Sequence, residues 1–86
     1  MDVNQLIENL KKKIEINFNC EEIKILDKTF LHKKHVSHQK GKFHLKIIIR
    51  SGELRNLKKL ESSRKVHKIL ENEIKKYIHS IQLDII

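Results

Sequence analysis

The chain has 86 residues, 38% of them hydrophobic, and a formal net charge of +8. This length gives one domain, 1–86, with a modest core, and no apolar run reaches the roughly 18–20 residues that span a bilayer. The single cysteine, Cys20, excludes an internal disulfide and a metal site built only from cysteines. The N-terminus lacks a signal-peptide pattern, so we expect an intracellular protein, in the cytoplasm or in an organelle.

The first predicted element is a helix. Asp2 and Gln5 form an Asp-x-x-Gln variant of the capping box. Three lysines at 11–13 lie near the predicted C-terminal end, where cations complement the helix dipole, and Asn17 and Asn19 act as stop signals. The apolar stripe, at helical spacing, consists of Val3, Leu6, Ile7, Leu10 and Ile14.

Two strands with a histidine-rich loop between them come next. Ile23 and Ile25 alternate with charged residues, which predicts a half-buried strand over 22–28. A second strand follows the loop and ends at Ser51-Gly52. The second strand places on one face Phe43, Leu45, Ile47 and Ile49. The histidines of this region are His32, His35, His38 and His44.

The last third of the chain predicts a turn, a helix and a strand. Leucines three residues apart over 54–60 indicate a short irregular or 3₁₀ turn. Ser62 or Ser63 caps a second helix, whose apolar stripe is Val66, Ile69, Leu70, Ile74 and Tyr77. The final strand, over 78–85, places on one face His79, Ile81, Leu83 and Ile85.

The order helix, strand, strand, turn, helix, strand predicts a two-layer α+β domain with both helices on one face of a three-stranded mixed sheet. The first two strands are antiparallel. The second and third are parallel, because a helix connects them.

Four segments, in this order, resemble the BolA family. They are Asp27-x-Thr29-x-x-His32-x-x-His35, Phe43-His44-Leu45-Lys46-Ile47, the run from Leu54 through 60–66 to Leu70, and Tyr77-Ile78-His79-Ser80-Ile81. Their family counterparts are an acidic/Asn-x-Ser/Thr…His loop, a Ser/Thr-His-Phe-Lys-Val strand opening, a Phe-x-Gly…Leu-x-Arg-His-Arg-x-Val/Ile…Leu signature and a Val/Ile-His-Ala-Leu segment. Leu54, Asn56 and Ser62-Ser63 replace the family's Phe, Gly and Arg-His. The resemblance implies a variant of the KH-like fold.

The resemblance also implies a function. BolA-like proteins pair with monothiol glutaredoxins of the Cys-Gly-Phe-Ser type and share a 2Fe–2S cluster, in iron–sulfur cluster trafficking or iron regulation. The family's histidine ligands map onto His32 and His79, with His35 as a rival loop ligand. The glutaredoxin cysteine and a bound glutathione would supply the thiolates, and two imidazoles can replace two thiolates on one iron. The isolated chain is then expected to be a monomer without bound metal.

Nucleic-acid binding is the alternative function, because a KH-like topology and a basic surface favour it. Against it, the chain has only two glycines, Gly41 and Gly52, and therefore lacks the Gly-x-x-Gly loop of KH domains. The basic residues that would contact nucleic acid are Lys58, Lys59, Arg64 and Lys65.

The remaining candidate sites are weaker. A zinc site from the three loop histidines lacks a cysteine or carboxylate partner. No catalytic constellation stands out, so we expect no enzyme activity. His44 alternates away from the core residues of its strand, which indicates a surface or second-layer residue. Cys20 is expected to be a small buried or half-buried residue.

Overall fold

The computed structural model describes residues 2–29 and 42–86. Along these residues the order is α1 (Val3–Asn17), β1 (Glu22–Asp27), β2 (Phe43–Arg50), α2 (Gly52–Arg55), α3 (Lys59–Ile69), α4 (Glu71–Tyr77) and β3 (Ile78–Ile85). The predicted α+β class is confirmed, and the strands lie close to their predicted positions. Within the described ranges, no helix is long and apolar enough to cross a membrane.

The sheet has the predicted topology, with β2 in the middle of the order β1-β2-β3. β1 and β2 are antiparallel, with Ile25 opposite Ile47. β2 and β3 are parallel, with Ile47 opposite Leu83. The parallel pairing brings the first residues of β2 and β3 to the same end of the sheet, where β1 ends.

The core lies between the helices and one face of this sheet. Alternate residues of β2 point to opposite faces, and those on the helix side are buried. The buried apolar residues are Leu6, Leu10, Ile14, Ile23, Leu45, Ile47, Ile49, Leu54, Val66, Leu70 and Ile78.

α1 begins as predicted and ends at Asn17, one of the two predicted stop residues. The carboxylate oxygen Oδ1 of Asp2 accepts a hydrogen bond from the backbone N–H of Gln5 at 2.9 Å, which confirms the N-cap. The helix continues to Asn17, and Phe18 then leaves it in an extended conformation with φ of −135°. The lysines at 11–13 therefore lie outside the last turn. One of them, Lys13, forms an ion pair at 2.7 Å with Glu73 on α4.

Two helix boundaries in the second half of the chain were predicted wrongly. Of the leucines in the predicted turn, Leu54 lies in the short helix α2 and Leu60 already lies in α3. The Ser51 hydroxyl accepts a hydrogen bond from the Leu54 N–H at 3.2 Å, at the start of α2. α3 starts before the predicted Ser62 or Ser63 cap, because the Ser62 N–H already donates to the Lys58 carbonyl at 3.0 Å. Ser62 is buried inside the helix, and a break at Leu70 divides the predicted single helix into α3 and α4.

The predicted face of β3 is wrong at its first position. Phe43 pairs with Ile78, but His44 pairs with Ser80, so His79 is an extra residue on β3. An extra residue in one strand reverses the alternation of side chains beyond it. Ile78 therefore enters the core at 3% exposure, and His79 is exposed although it has the sequence parity of Ile81.

Candidate functional site

The structure brings two histidines together at the starts of β2 and β3. The ring centroids of His44 and His79 lie 4.8 Å apart, with the ring planes inclined by 56°. His44 is only 5% exposed, whereas His79 is exposed. The buried imidazole of His44 therefore packs beside the imidazole of His79, which solvent can reach.

His44 is held on two sides. Its ring nitrogen Nδ1 lies 2.7 Å from the hydroxyl oxygen of Ser80 on β3. Its backbone carbonyl accepts a hydrogen bond from the Lys28 N–H at 2.7 Å, and its own N–H donates to the Thr29 hydroxyl oxygen at 3.2 Å. One residue of β2 thus contacts both the start of β3 and the chain that enters the loop.

The start of the loop is fixed by a local turn. The backbone N–H of Thr29 donates to Oδ1 of Asp27 at 2.9 Å, and the Thr29 hydroxyl donates to the same oxygen. An aspartate whose side chain accepts a hydrogen bond from the backbone N–H two residues ahead forms an Asx turn. The predicted ligands His32 and His35, together with His38, lie outside the described residues.

The sequence predicts a surface or second-layer position for His44, whereas the structure buries it. Its sequence parity places it with Lys46 and Arg50, on the face of β2 opposite the helices. Its side chain contacts Ser80 and His79 on β3, which come from a distant part of the sequence. The sequence signal that could have marked His44 as part of the site is its position as the second residue of the strand that follows the predicted loop.

The predicted nucleic-acid residues divide between two surfaces. Lys58, Arg64 and Lys65 line a shallow cavity of about 430 Å³ together with Lys68. Lys59 lines a different cavity of about 370 Å³. Lys58, Arg64, Lys65 and Lys68 therefore share one cavity, whose lining also includes Glu61.

A family model for the BolA-like protein matches residues 14–86, most of the chain. The chain belongs to the BolA family.

Solved structures of BolA proteins have the same fold. The chain is similar to the BolA domain of SufE1 from Arabidopsis thaliana, with a TM-score of 0.77 and 16% identity over 99% of this chain and 92% of that one. BolA1 from Arabidopsis thaliana gives a TM-score of 0.79 with 16% identity over 93% and 88% of the two chains. A bol-like protein from Babesia bovis gives 0.72 with 13% identity over 100% and 85%. No curated protein matches the sequence of this chain.

The structure accommodates this BolA chain's departures from the family motifs. Leu54 is buried in place of the family's Phe. Asn56, in place of Gly, has φ of −73°, which any residue adopts. Ser62 is buried, and Ser63 lines a cavity with Leu83. Leu83 is near the end of β3 and His79 near its start, so the replaced Arg-His pair lies at the other end of this strand from the two histidines.

The described residues of this BolA chain do not by themselves form a complete metal site. Among the described residues, no group of three or more His, Cys, Asp or Glu side chains could hold a metal ion. A 2Fe–2S cluster takes four ligands, and histidine can replace cysteine on one iron. An exposed imidazole such as that of His79 can supply one such ligand.

Cys20 does not belong to this site. It is half-buried, as the sequence predicted, and it is close to Ser51, at the opposite end of the sheet from His44. Burial raises the pKa of the Cys20 thiol, with smaller contributions in the same direction from Glu53 and Glu15, while a hydrogen bond with Ser51 opposes them. A raised pKa disfavours the thiolate, which is the metal-binding form.

Cys20 should therefore react slowly with alkylating agents. A free thiol has a pKa of about 8.5, so the half-buried thiol of Cys20 will hold a smaller thiolate fraction at pH 7–8. Its alkylation rate should still be rising above that pH. The measurement is the pH profile of iodoacetamide labelling, with the urea-unfolded chain as the reference. A folded rate equal to the unfolded rate at pH 7.5 would contradict the assigned burial.

Proposed function

We propose that this BolA-family chain is a non-catalytic accessory protein that binds a monothiol glutaredoxin and shares a 2Fe–2S cluster with it, in cluster trafficking or iron regulation. The observation that supports the proposal is the exposed imidazole of His79 beside His44, which lies at the start of β2, the strand that follows the segment with His32. In this proposal His79 and His32 are the ligands from this chain, with His35 as the rival to His32.

The chemistry of this donor set suits a transferable cluster. The cysteine of the glutaredoxin and its bound glutathione would supply thiolates for the second iron. Imidazole ligands raise the reduction potential of such a cluster relative to thiolates. They also bind only when deprotonated, so acid competes with the metal for them.

Reconstitution with the partner tests the proposal. The chain and a Cys-Gly-Phe-Ser glutaredoxin are co-expressed, purified under anaerobic conditions and examined by gel filtration, iron analysis, visible absorption and circular dichroism. We expect a one-to-one complex whose spectrum differs from that of the glutaredoxin homodimer. A glutaredoxin homodimer that keeps its spectrum and elutes apart from this chain would refute the proposal.

Association with the glutaredoxin should depend on salt. A net charge of +8 attracts an acidic surface from a distance, and this attraction is screened over about 10 Å at 0.1 M salt and about 3 Å at 1 M. We expect the association rate, measured by stopped-flow, to fall roughly tenfold between about 50 and 500 mM salt. A rate indifferent to salt would mean that the basic surface takes no part in the encounter.

Nucleic-acid binding is the second candidate function, and the convergence of Lys58, Arg64, Lys65 and Lys68 on one cavity favours it. Phosphate contacts of this kind give affinity without sequence preference, and the affinity falls steeply with salt. The test is a fluorescence-anisotropy titration of labelled DNA and RNA with Arg64→Glu. Lys24→Glu, on the exposed face of β1, is the control. Equal loss in both variants would reject a localised surface.

A further inference from the structure

We propose that His44 is a positioning residue for His79. It would act through its ring contact with His79 and its hydrogen bond to Ser80, and it would set where the exposed imidazole points without being a ligand itself. The consequence for a cluster rests on the proposed function. The positioning itself is a property of the isolated chain.

Burial and bonding separate the role of His44 from that of His79. A polar ring that is 5% exposed loses hydration and needs hydrogen bonds in return. The Ser80 hydroxyl, 2.7 Å from Nδ1, provides one. That bond fixes the orientation of the His44 ring, which would otherwise be broadly variable about its last torsion. A fixed ring then offers His79 a fixed surface at 4.8 Å.

The irregularity in β3 explains why His79 needs such support. The regular pairing of β2 with β3 passes from Phe43–Ile78 to His44–Ser80 and omits His79. A residue outside the regular ladder is less constrained by its neighbours. The bond between the side chains of His44 and Ser80 holds the residue that follows His79, and so limits the conformations that His79 can adopt.

His44 also connects His79 to Lys28 and Thr29, the residues that follow β1. The backbone of His44 binds Lys28 and Thr29, and its side chain contacts β3. The position of His79 relative to the chain that enters the loop is therefore set through one residue. Outer-shell groups of this kind orient metal ligands, and losing one costs about 10–100-fold in metal affinity or activity.

Ser80→Ala is the main test variant, because Ser80 is exposed and the change removes only the hydroxyl. Ser80→Thr restores a hydroxyl and serves as the rescue. Ser63→Ala, on α3, is the matched control. A second pair acts from the other side of the bond: His44→Phe keeps a ring without Nδ1, and His44→Asn keeps a nitrogen or oxygen close to the position of Nδ1.

The first readout is NMR of the isolated chain. Ring-to-ring NOEs between residues 44 and 79 and the relaxation of the His79 ring report its orientation directly. We expect Ser80→Ala to lose the NOEs and to gain ring mobility, with Ser80→Thr and Ser63→Ala unchanged. An unchanged His79 ring in both Ser80→Ala and His44→Phe would overturn the inference, whether or not a cluster forms.

The second readout is cluster release from the glutaredoxin complex to a chelator. We expect release about tenfold faster in Ser80→Ala, at the low end of the range for outer-shell groups, with wild-type rates in Ser80→Thr and with the cluster still formed in His44→Asn. Complete loss of the cluster in a folded His44→Asn would make His44 a ligand and overturn the inference. Failure of the wild-type chain to form any complex would refute the proposed function alone, because the NMR test does not need a partner.

Discussion

His79→Ala should abolish the proposed mixed-ligand cluster and leave the fold intact. His79 is exposed, so its loss removes little buried surface. In the presence of glutaredoxin, the cluster should return to the glutaredoxin homodimer with thiolate ligands only. The reduction potential should fall, because thiolate in place of imidazole adds negative charge at the iron. Visible circular dichroism and a redox titration measure both changes, and far-ultraviolet circular dichroism checks the fold.

The double variant His79→Ala with His32→Ala should remove both proposed ligands of this chain, and His35→Ala separates the two proposed loop ligands. His67→Ala is the matched control, because His67 is also an exposed histidine and lies on α3, where its Nδ1 is 2.8 Å from the Ser63 carbonyl oxygen. If the double variant gave the heterodimeric cluster spectrum of the wild type, the assignment of His32 and His79 as ligands would be wrong.

The strands could be predicted from the sequence because their pattern is local. In β2 every second residue is apolar, and the structure buries Leu45, Ile47 and Ile49. The parallel pairing of β2 and β3 followed from the helical connection between them, since parallel strands need a long crossover. These inferences use only the spacing of apolar residues and the length of the connection, and both can be read directly from the sequence.

The details that build the candidate site depend on contacts between distant segments. Nothing in the sequence near His79 marks it as the extra residue in β3, because the extra residue is defined only by the register with β2. Ser80, the hydrogen-bond partner of the His44 ring, is likewise 36 positions away in the sequence. The start of α3 was misplaced for a related reason: Ser62 has the chemistry of a cap, and tertiary packing places it inside the helix instead.

Ile47→Ala should be severely destabilising, by about 2–4 kcal/mol, through the loss of buried methyl groups and the cavity left behind. Ile47 is fully buried at the centre of the middle strand, opposite Ile25 on one side and Leu83 on the other. Neighbours on both sides are held in the sheet ladder and cannot easily close the cavity. A domain of this size has a total stability of only about 5–15 kcal/mol, so the loss is a large fraction of it.

Denaturant unfolding of Ile47→Ala, Ile81→Ala and Ile16→Ala gives a graded test of this core. Ile81 was expected from its strand pattern to match Ile47, but it is half-buried, so its replacement should cost less, about 1–2 kcal/mol. Ile16 is 82% exposed on α1, and its replacement should be within about 0.5 kcal/mol of the wild type. The thermal midpoint of Ile47→Ala should fall by roughly 4–8 °C for each kcal/mol lost. Equal midpoints for Ile47→Ala and Ile16→Ala would show that the centre of β2 is not the centre of the core.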